Sequence, residues 1–236
     1  MTHADDPVDS VQILYEDDDL LLVNKPPGML SVPDGYNPAL PHLRSILTPN
    51  FGDLWMVHRL DKDTSGVIIL AKNPQTHRQL NEGFRSGMVK KIYHGLVTPA
   101  PGWQELTIDF PLAINADRKH RTRVNVENGK TALSLCKVIK RFPLGALLEI
   151  EIETGITHQI RAHLRAIDLM LIGDPLYSAG LPLPPIDADR TMLHAKTISF
   201  SHPTTGETKD FTAPYFDDFR DTYAKLQFTT SLDEVL

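Results

Sequence analysis

Cysteine is nearly missing from the sequence: Cys136 is the single one in 236 residues. One thiol excludes an internal disulfide and any cysteine-based zinc site, and it fits a reducing compartment. Long apolar runs are missing as well, so no stretch has the length of a membrane span, and the acidic N-terminus has no signal-peptide core. A cytoplasmic protein with no membrane attachment is the expectation. Repeats, low-complexity segments and a Gly-rich nucleotide loop are also lacking. His158 and His163 stand five apart, a poor spacing for two ligands on one helical face, which excludes an obvious metal site.

Positive charge is lacking at both ends. Residues 1–24 hold seven acids and neither Lys nor Arg, and residues 207–236 net −4, so the middle, 25–206, carries +5 within a total of −6. A central basic body with acidic ends is compatible with a groove for a polyanion, although the total argues against one.

What is present is concentrated in VHRLDKDTSGVIILA, Val57 to Ala71. A short Val/Ile run entered through Gly66 reads as a buried strand, with Asp61 and Asp63 at its mouth as candidate acid or base groups. Upstream, Val11–Tyr15 and Leu20–Lys25 read as a hairpin around an acidic turn, followed by a rigid loop in NKPPGMLSVPDG. Leu40–Leu47 reads as a short helix. Asn73 caps a second helix with Pro74 at its first position and Gly87 at its close. Lys90–Thr98 alternates as a strand that puts Tyr93, Gly95 and Val97 on one face.

DRKHRTR, Asp117 to Arg123, is the densest basic cluster and reads as a loop or hairpin tip suited to phosphate contact. Lys130–Arg141 and Ala146–Glu153 follow as antiparallel strands. In ETGITHQIRAHLRAI, Thr157 is the expected cap of a helix that turns Ile160, Leu164 and Ile167 to the core and Arg161 and Arg165 to a cationic edge. GDPLYSAG is a turn, Thr191–Phe200 and Thr208–Phe211 are strands, and Phe216–Lys225 is a closing helix.

HRLDKDTSG, KKIYHGLV, the GITHQIRAHL helix start, GDPLY and the LHA strand, in this order and spacing, resemble the RluA-type RNA pseudouridine synthase family. NKPPGMLSVP resembles the opening of that family's catalytic domain. The resemblance implies an α+β fold, a mixed, largely antiparallel sheet with flanking helices and loops around a central RNA-binding cleft. It implies a flexible N-terminus over 1–10, a catalytic domain over 11–226 and a tail over 227–236, without the RNA-binding module that many relatives carry. It implies isomerisation of uridine in rRNA or tRNA by a monomer that needs no cofactor and no metal.

By resemblance Asp61 is the catalytic carboxylate, as nucleophile at C1′ or as base at C2′. Arg161 is its basic partner, and Tyr93 is the aromatic that stacks on uracil. Ile160 and Leu193 form the apolar wall, and Arg59 enters the base stack or contacts a phosphate. Arg118, Lys119, Arg121, Arg123, Lys90 and Lys91 are the expected grip on RNA. One departure stands out: Ile156 occupies a position that is usually Arg or Lys. A non-catalytic RNA-binding protein would not need Asp61, Tyr93 and Arg161 together. A glycoside hydrolase would need Asp61 and Asp63, two apart, to face one substrate.

Overall fold

The computed structural model describes residues 10–178, 180 and 186–228. Of the expected terminal segments, 1–10 and 227–236, all but residues 10, 227 and 228 lie outside them, as does most of the Pro-rich loop after Gly180. In chain order the elements begin with β1 (Gln12–Glu16), β2 (Leu20–Lys25), α1 (Leu43–Phe51), β3 (Trp55–Met56), β4 (Ser65–Ala71) and α2 (Pro74–Arg85). There follow β5 (Lys90–Thr98), β6 (Glu105–Ile108), β7 (Leu112–Ala113), β8 (Arg123–Val124), β9 (Ser134–Phe142) and β10 (Gly145–Ile152). The chain closes with α3 (Gln159–Ala166), β11 (Met170–Leu171), β12 (Leu193–Ser201), β13 (Thr208–Thr212) and α4 (Asp217–Phe228). With strands paired mostly antiparallel and four helices, the fold is the α+β arrangement expected.

The chain divides into two compact units, 1–91 with 195–215, and 92–194 with 216–236. In the first, β1, β2, β4 and the part of β12 from Ala195 lie side by side, with β3 on β4 and β13 on β12. Every residue of β2 and β4 is buried, which is why Leu20–Val23 and Val67–Ala71 within them read as apolar runs rather than alternating ones. Asn73 caps α2 as expected: its side chain accepts the Thr76 N–H at 2.8 Å, and Pro74 occupies the first turn. The helix expected over Leu40–Leu47 starts later, at Leu43. His42 has extended backbone angles, its Nδ1 accepts the Ser45 N–H, and the Ser45 hydroxyl accepts the His42 N–H, so a capping box sets the boundary.

In the second unit β5 pairs with β10, β10 with β9 and β9 with β6, all antiparallel, while β11 adds to β5. The β7–β8 hairpin stands apart as its own two-stranded ladder and carries the basic loop at its tip. Thr157 does not cap α3. The cap position is His158, in the left-handed region (φ 56°) with no side-chain cap bond, and Thr157 instead accepts the Thr122 hydroxyl through its carbonyl. Gln159 takes over the anchoring. Its Oε1 accepts from the Ile156 N–H and the Thr154 hydroxyl, and its Nε2 donates to the Leu133 carbonyl.

Candidate active site

Asp61 lies in the first unit, on the loop between β3 and β4, half-exposed. The backbone on both sides of it is tied down. Before it, the Ser31 hydroxyl accepts the Leu60 N–H at 3.1 Å and donates to the Leu60 carbonyl at 2.8 Å, so one side chain serves as a strand partner. After it, the Lys62 carbonyl accepts from the Lys25 ammonium at 3.0 Å, and the Asp61 carbonyl accepts the Thr64 N–H at 3.1 Å. Lys25 is 0 % exposed and donates also to the carbonyls of Pro26 and Met29, at 2.9 and 2.8 Å. The NKPPGM loop is therefore the brace of the Asp61 loop, and a buried ammonium is the joint between them. A buried charge is tolerable where its donors are satisfied in this way.

The glycine of Thr64-Ser65-Gly66 has a steric cause. Gly66 sits at φ 116°, and a Cβ there would lie 2.2 Å from the Ala195 carbonyl oxygen. Only glycine fits at that approach. His58 stacks on Phe84 with ring centroids 4.8 Å apart, and its Nε2 accepts the Ile69 N–H at 3.1 Å. Burial, and then the charge of Lys91, push its imidazole down to about 3. It is neutral at physiological pH, with the proton on Nδ1, and it fixes the backbone from which Arg59 projects into solvent.

In the second unit Tyr93 of β5 is 8 % exposed and stands opposite Ile150 of β10. Leu193 is buried at the start of β12, next to β5, where the Leu96 N–H donates to the Met192 carbonyl. Ile160 is buried on α3. Arg161 makes a forked pair with Asp174, Nε to Oδ2 at 2.7 Å and Nη2 to Oδ1 at 2.8 Å, with side chains 10 % and 1 % exposed. Its guanidinium lies 5.0 Å from the centre of the Tyr177 ring. The cationic edge expected of α3 is thus compensated at Arg161 by Asp174. That carboxylate also accepts the N–H groups of Leu176 and Tyr177, which turns GDPLY into a shaped support.

Ile156 has a local explanation. It packs, with Leu176, against a small apolar cluster of Leu112, Ala132, Ala162 and Tyr177. His163 is a core residue, its nitrogens 2.9 Å from the Ser134 hydroxyl and 3.0 Å from the Phe110 carbonyl. Among the described residues no cluster of three His, Cys, Asp or Glu side chains could hold a metal, and no helix is long and apolar enough to cross a membrane.

The expected RNA-gripping residues separate into two groups. Arg118, Lys119, Arg123 and Lys90 are exposed. Lys91 is buried, its ammonium 5.8 Å over the Phe84 ring and its pKa lowered by desolvation, and so does not share the surface of Lys90. Arg121 is partly buried and donates through Nε to Asp117 Oδ2 at 2.7 Å, while Arg123 pairs with the same oxygen at 3.0 Å. Desolvation would raise the Asp117 carboxyl, but the backbone N–H of Arg121, its guanidinium and the Lys119 N–H outweigh that and hold it at about 2. It stays ionised as the hub of the loop.

Lys25, Ser31, Asp174 and Tyr177 escape a reading of the sequence for chemistry, because NKPPGM and GDPLY look like plain turns. The signal was there as a lysine ending a strand whose first four residues are apolar, and as an aspartate two residues before Leu176.

The family model for RNA pseudouridylate synthase matches residues 19–166, a span that includes the Asp61 loop, Tyr93 and Arg161. The uncharacterized RNA pseudouridine synthase YlyB of Bacillus subtilis is 38 % identical over 240 residues, covering 94 % of this chain and 74 % of that protein. The ribosomal large subunit pseudouridine synthase D of Pseudomonas aeruginosa is 33 % identical over 231 residues, covering 89 % of this chain and 69 % of that one. Among solved structures, human RNA pseudouridylate synthase domain containing 4 superimposes with a TM-score of 0.74 at 24 % identity, over 93 % of this chain and 94 % of that one, a likeness of fold. On the profile match and the extent of these identities, the chain belongs to the RluA-type RNA pseudouridine synthases, a family of RNA isomerases.

Proposed function

We propose that this enzyme isomerises specific uridines of structured RNA, in large-subunit rRNA or in tRNA, with Asp61 as the catalytic carboxylate. The observation that carries the reading is the bracing of the Asp61 loop. Lys25 and Ser31 hold the backbone of Leu60 and Lys62 on either side of a half-exposed carboxylate. A fixed backbone with a reachable side chain is what a group acting on one atom of a large substrate requires.

In the reaction the N1–C1′ bond of uridine breaks, the uracil turns, and a C5–C1′ bond forms. The proton leaves C5 and N1 gains one, so the product is an isomer and no net oxidation occurs. Asp61 serves either as the nucleophile on C1′ or as the base that takes the C2′ proton. Tyr93 stacks on the detached uracil, and Arg161 is the basic partner of the carboxylate. Ile160 and Leu193 supply apolar wall, and Arg59 fills the place of the flipped nucleotide. These roles rest on the motif match. Arg118, Lys119, Arg123 and Lys90, all exposed, are the phosphate contacts. A relative named for the large ribosomal subunit makes 23S-type rRNA the first substrate to test, in the cytoplasm, with the enzyme acting as a monomer.

The test is a map of pseudouridines in total RNA from cells with and without the gene. At least one site disappears in the deletion and returns with the wild-type chain but not with Asp61→Asn. The purified variant binds RNA within a few-fold of wild type and has no turnover. Residual isomerisation by Asp61→Asn would remove Asp61 from its role.

A further inference from the structure

Beside α3, and within the second unit, a groove of about 420 Å³ has Arg121, Arg123, Val124, Ala162, Arg165 and Ala166 in its lining. That volume falls in the range of about 300–1,000 Å³ of small-molecule sites. Its rim is cationic and its floor is apolar. Arg121 and Arg123 share Asp117, which aligns them as a pair, and each guanidinium has five N–H donors of which that carboxylate takes few. Arg165, one turn beyond Arg161, is 34 % exposed and pairs with Asp168, whose own side chain is 84 % exposed. A pair so solvated holds weakly and exchanges readily for a stronger anion.

The floor adds what a phosphate site does not need. Ala162 and Ala166 keep one face of α3 low, and Val124 of β8 is 37 % exposed although it is apolar. Ile114 and Val126, flanking the same hairpin, are also exposed, at 39 % and 77 %. Apolar surface interleaved with arginine is suited to a base lying flat with its phosphate on the rim, since guanidinium planes and apolar side chains both receive an unstacked base.

We propose that this groove binds one unstacked nucleotide of the RNA other than the target uridine, its phosphate on Arg123 and Arg165 and its base over Val124 and Ala166. This rests on the reading of the chain as an RNA-modifying enzyme. It assigns to Arg165 and Ala166 a share in substrate choice, because only an RNA that can offer an unpaired nucleotide at that place gains the contact.

The probe is fluorescein-labelled hexaadenylate, which contains no uridine and so makes no demand on the target site, titrated into the full chain with anisotropy as readout. Arg165→Ala weakens binding about 10-fold and lowers the slope of log K against log salt by nearly one. Ala166→Leu, which fills the groove at an exposed position without touching a charge, weakens it at least ~5-fold with the slope unchanged. Arg220→Ala on α4, an exposed cation elsewhere in the unit, leaves binding as in wild type. Thermal unfolding checks that all three variants are folded. Full binding by Ala166→Leu would reduce the site to a phosphate surface and overturn the proposal, as would equal loss in Arg220→Ala or no binding by wild type. Whether the enzyme forms pseudouridine is decided separately by the RNA map.

Discussion

Lys25→Met removes the ammonium that joins the NKPPGM loop to the Asp61 loop while keeping an unbranched apolar stem. Three carbonyls, of Pro26, Met29 and Lys62, lose a charged donor. Hydrogen bonds to a charged group contribute about 1.5–3 kcal/mol each, so the gross loss is roughly 4–9 kcal/mol. Two corrections reduce it. Methionine has no ion to desolvate, which returns several kcal/mol, and Lys62 is exposed, so its carbonyl can recover water. The net loss is about 3 kcal/mol, which for a chain of this size lowers Tm by about 6–12 °C. The consequence for chemistry is larger. With Lys62 no longer held, the Asp61 backbone drifts, and a displacement on the order of 1 Å costs about 100-fold in rate. Thermal unfolding, RNA affinity and single-turnover pseudouridine formation on one preparation separate the effects: stability and kcat fall while affinity stays within a few-fold. A Lys25→Met protein with wild-type Tm and kcat would refute the bracing argument.

Gly66→Ala puts a Cβ 2.2 Å from the Ala195 carbonyl at φ 116°, and the resulting strain lowers stability by at least ~2 kcal/mol in urea unfolding; a neutral substitution would mean the strand approach is not tight. Asp174→Asn removes the charge of the buried carboxylate that grips the Arg161 guanidinium in a fork, at a cost of about 3–5 kcal/mol by the same assay, and a loss under 1 kcal/mol would show the pair to be dispensable. His58 gives a pH signature. Its folded pKa is lowered to about 3 from 6.5, so between these values the unfolded chain binds the extra proton. Its contribution is complete above pH 6.5 and fades as pH falls toward 3. The stability lost between pH 7.5 and 5 is therefore about 2 kcal/mol greater in wild type than in His58→Gln, and parallel profiles would contradict the neutral imidazole.

How much of this was legible beforehand depends on the range of the forces involved. β2, β4, α2 and β5 were readable because each is written in consecutive residues: apolar runs, Asn73-Pro74 at a helix start, alternation through Lys90–Thr98. Local signals misled where a distant partner took the group they relied on. Thr157 looked like a cap, but its carbonyl is bound to Thr122 while Gln159 reaches Leu133, 26 residues away. Lys91 looked like a surface cation until Phe84 folded under it.

The sequence by itself determined the chemistry on offer. HRLDKDTSG with KKIYHGLV and GITHQIRAHL names the family, because seven fixed positions in one motif and independent blocks beside it cannot recur by chance in one order. Only the tertiary structure decided which residues hold that chemistry in place. Lys25 meets Lys62 across 37 positions, Ser31 meets Leu60 across 29, and Arg121, Arg123 and Arg165 meet around one groove. Such pairings follow from where the backbone travels, and the packing there turns a lysine into a joint, sets a half-buried isoleucine at 156 against an apolar cluster and makes an arginine pair into a rim.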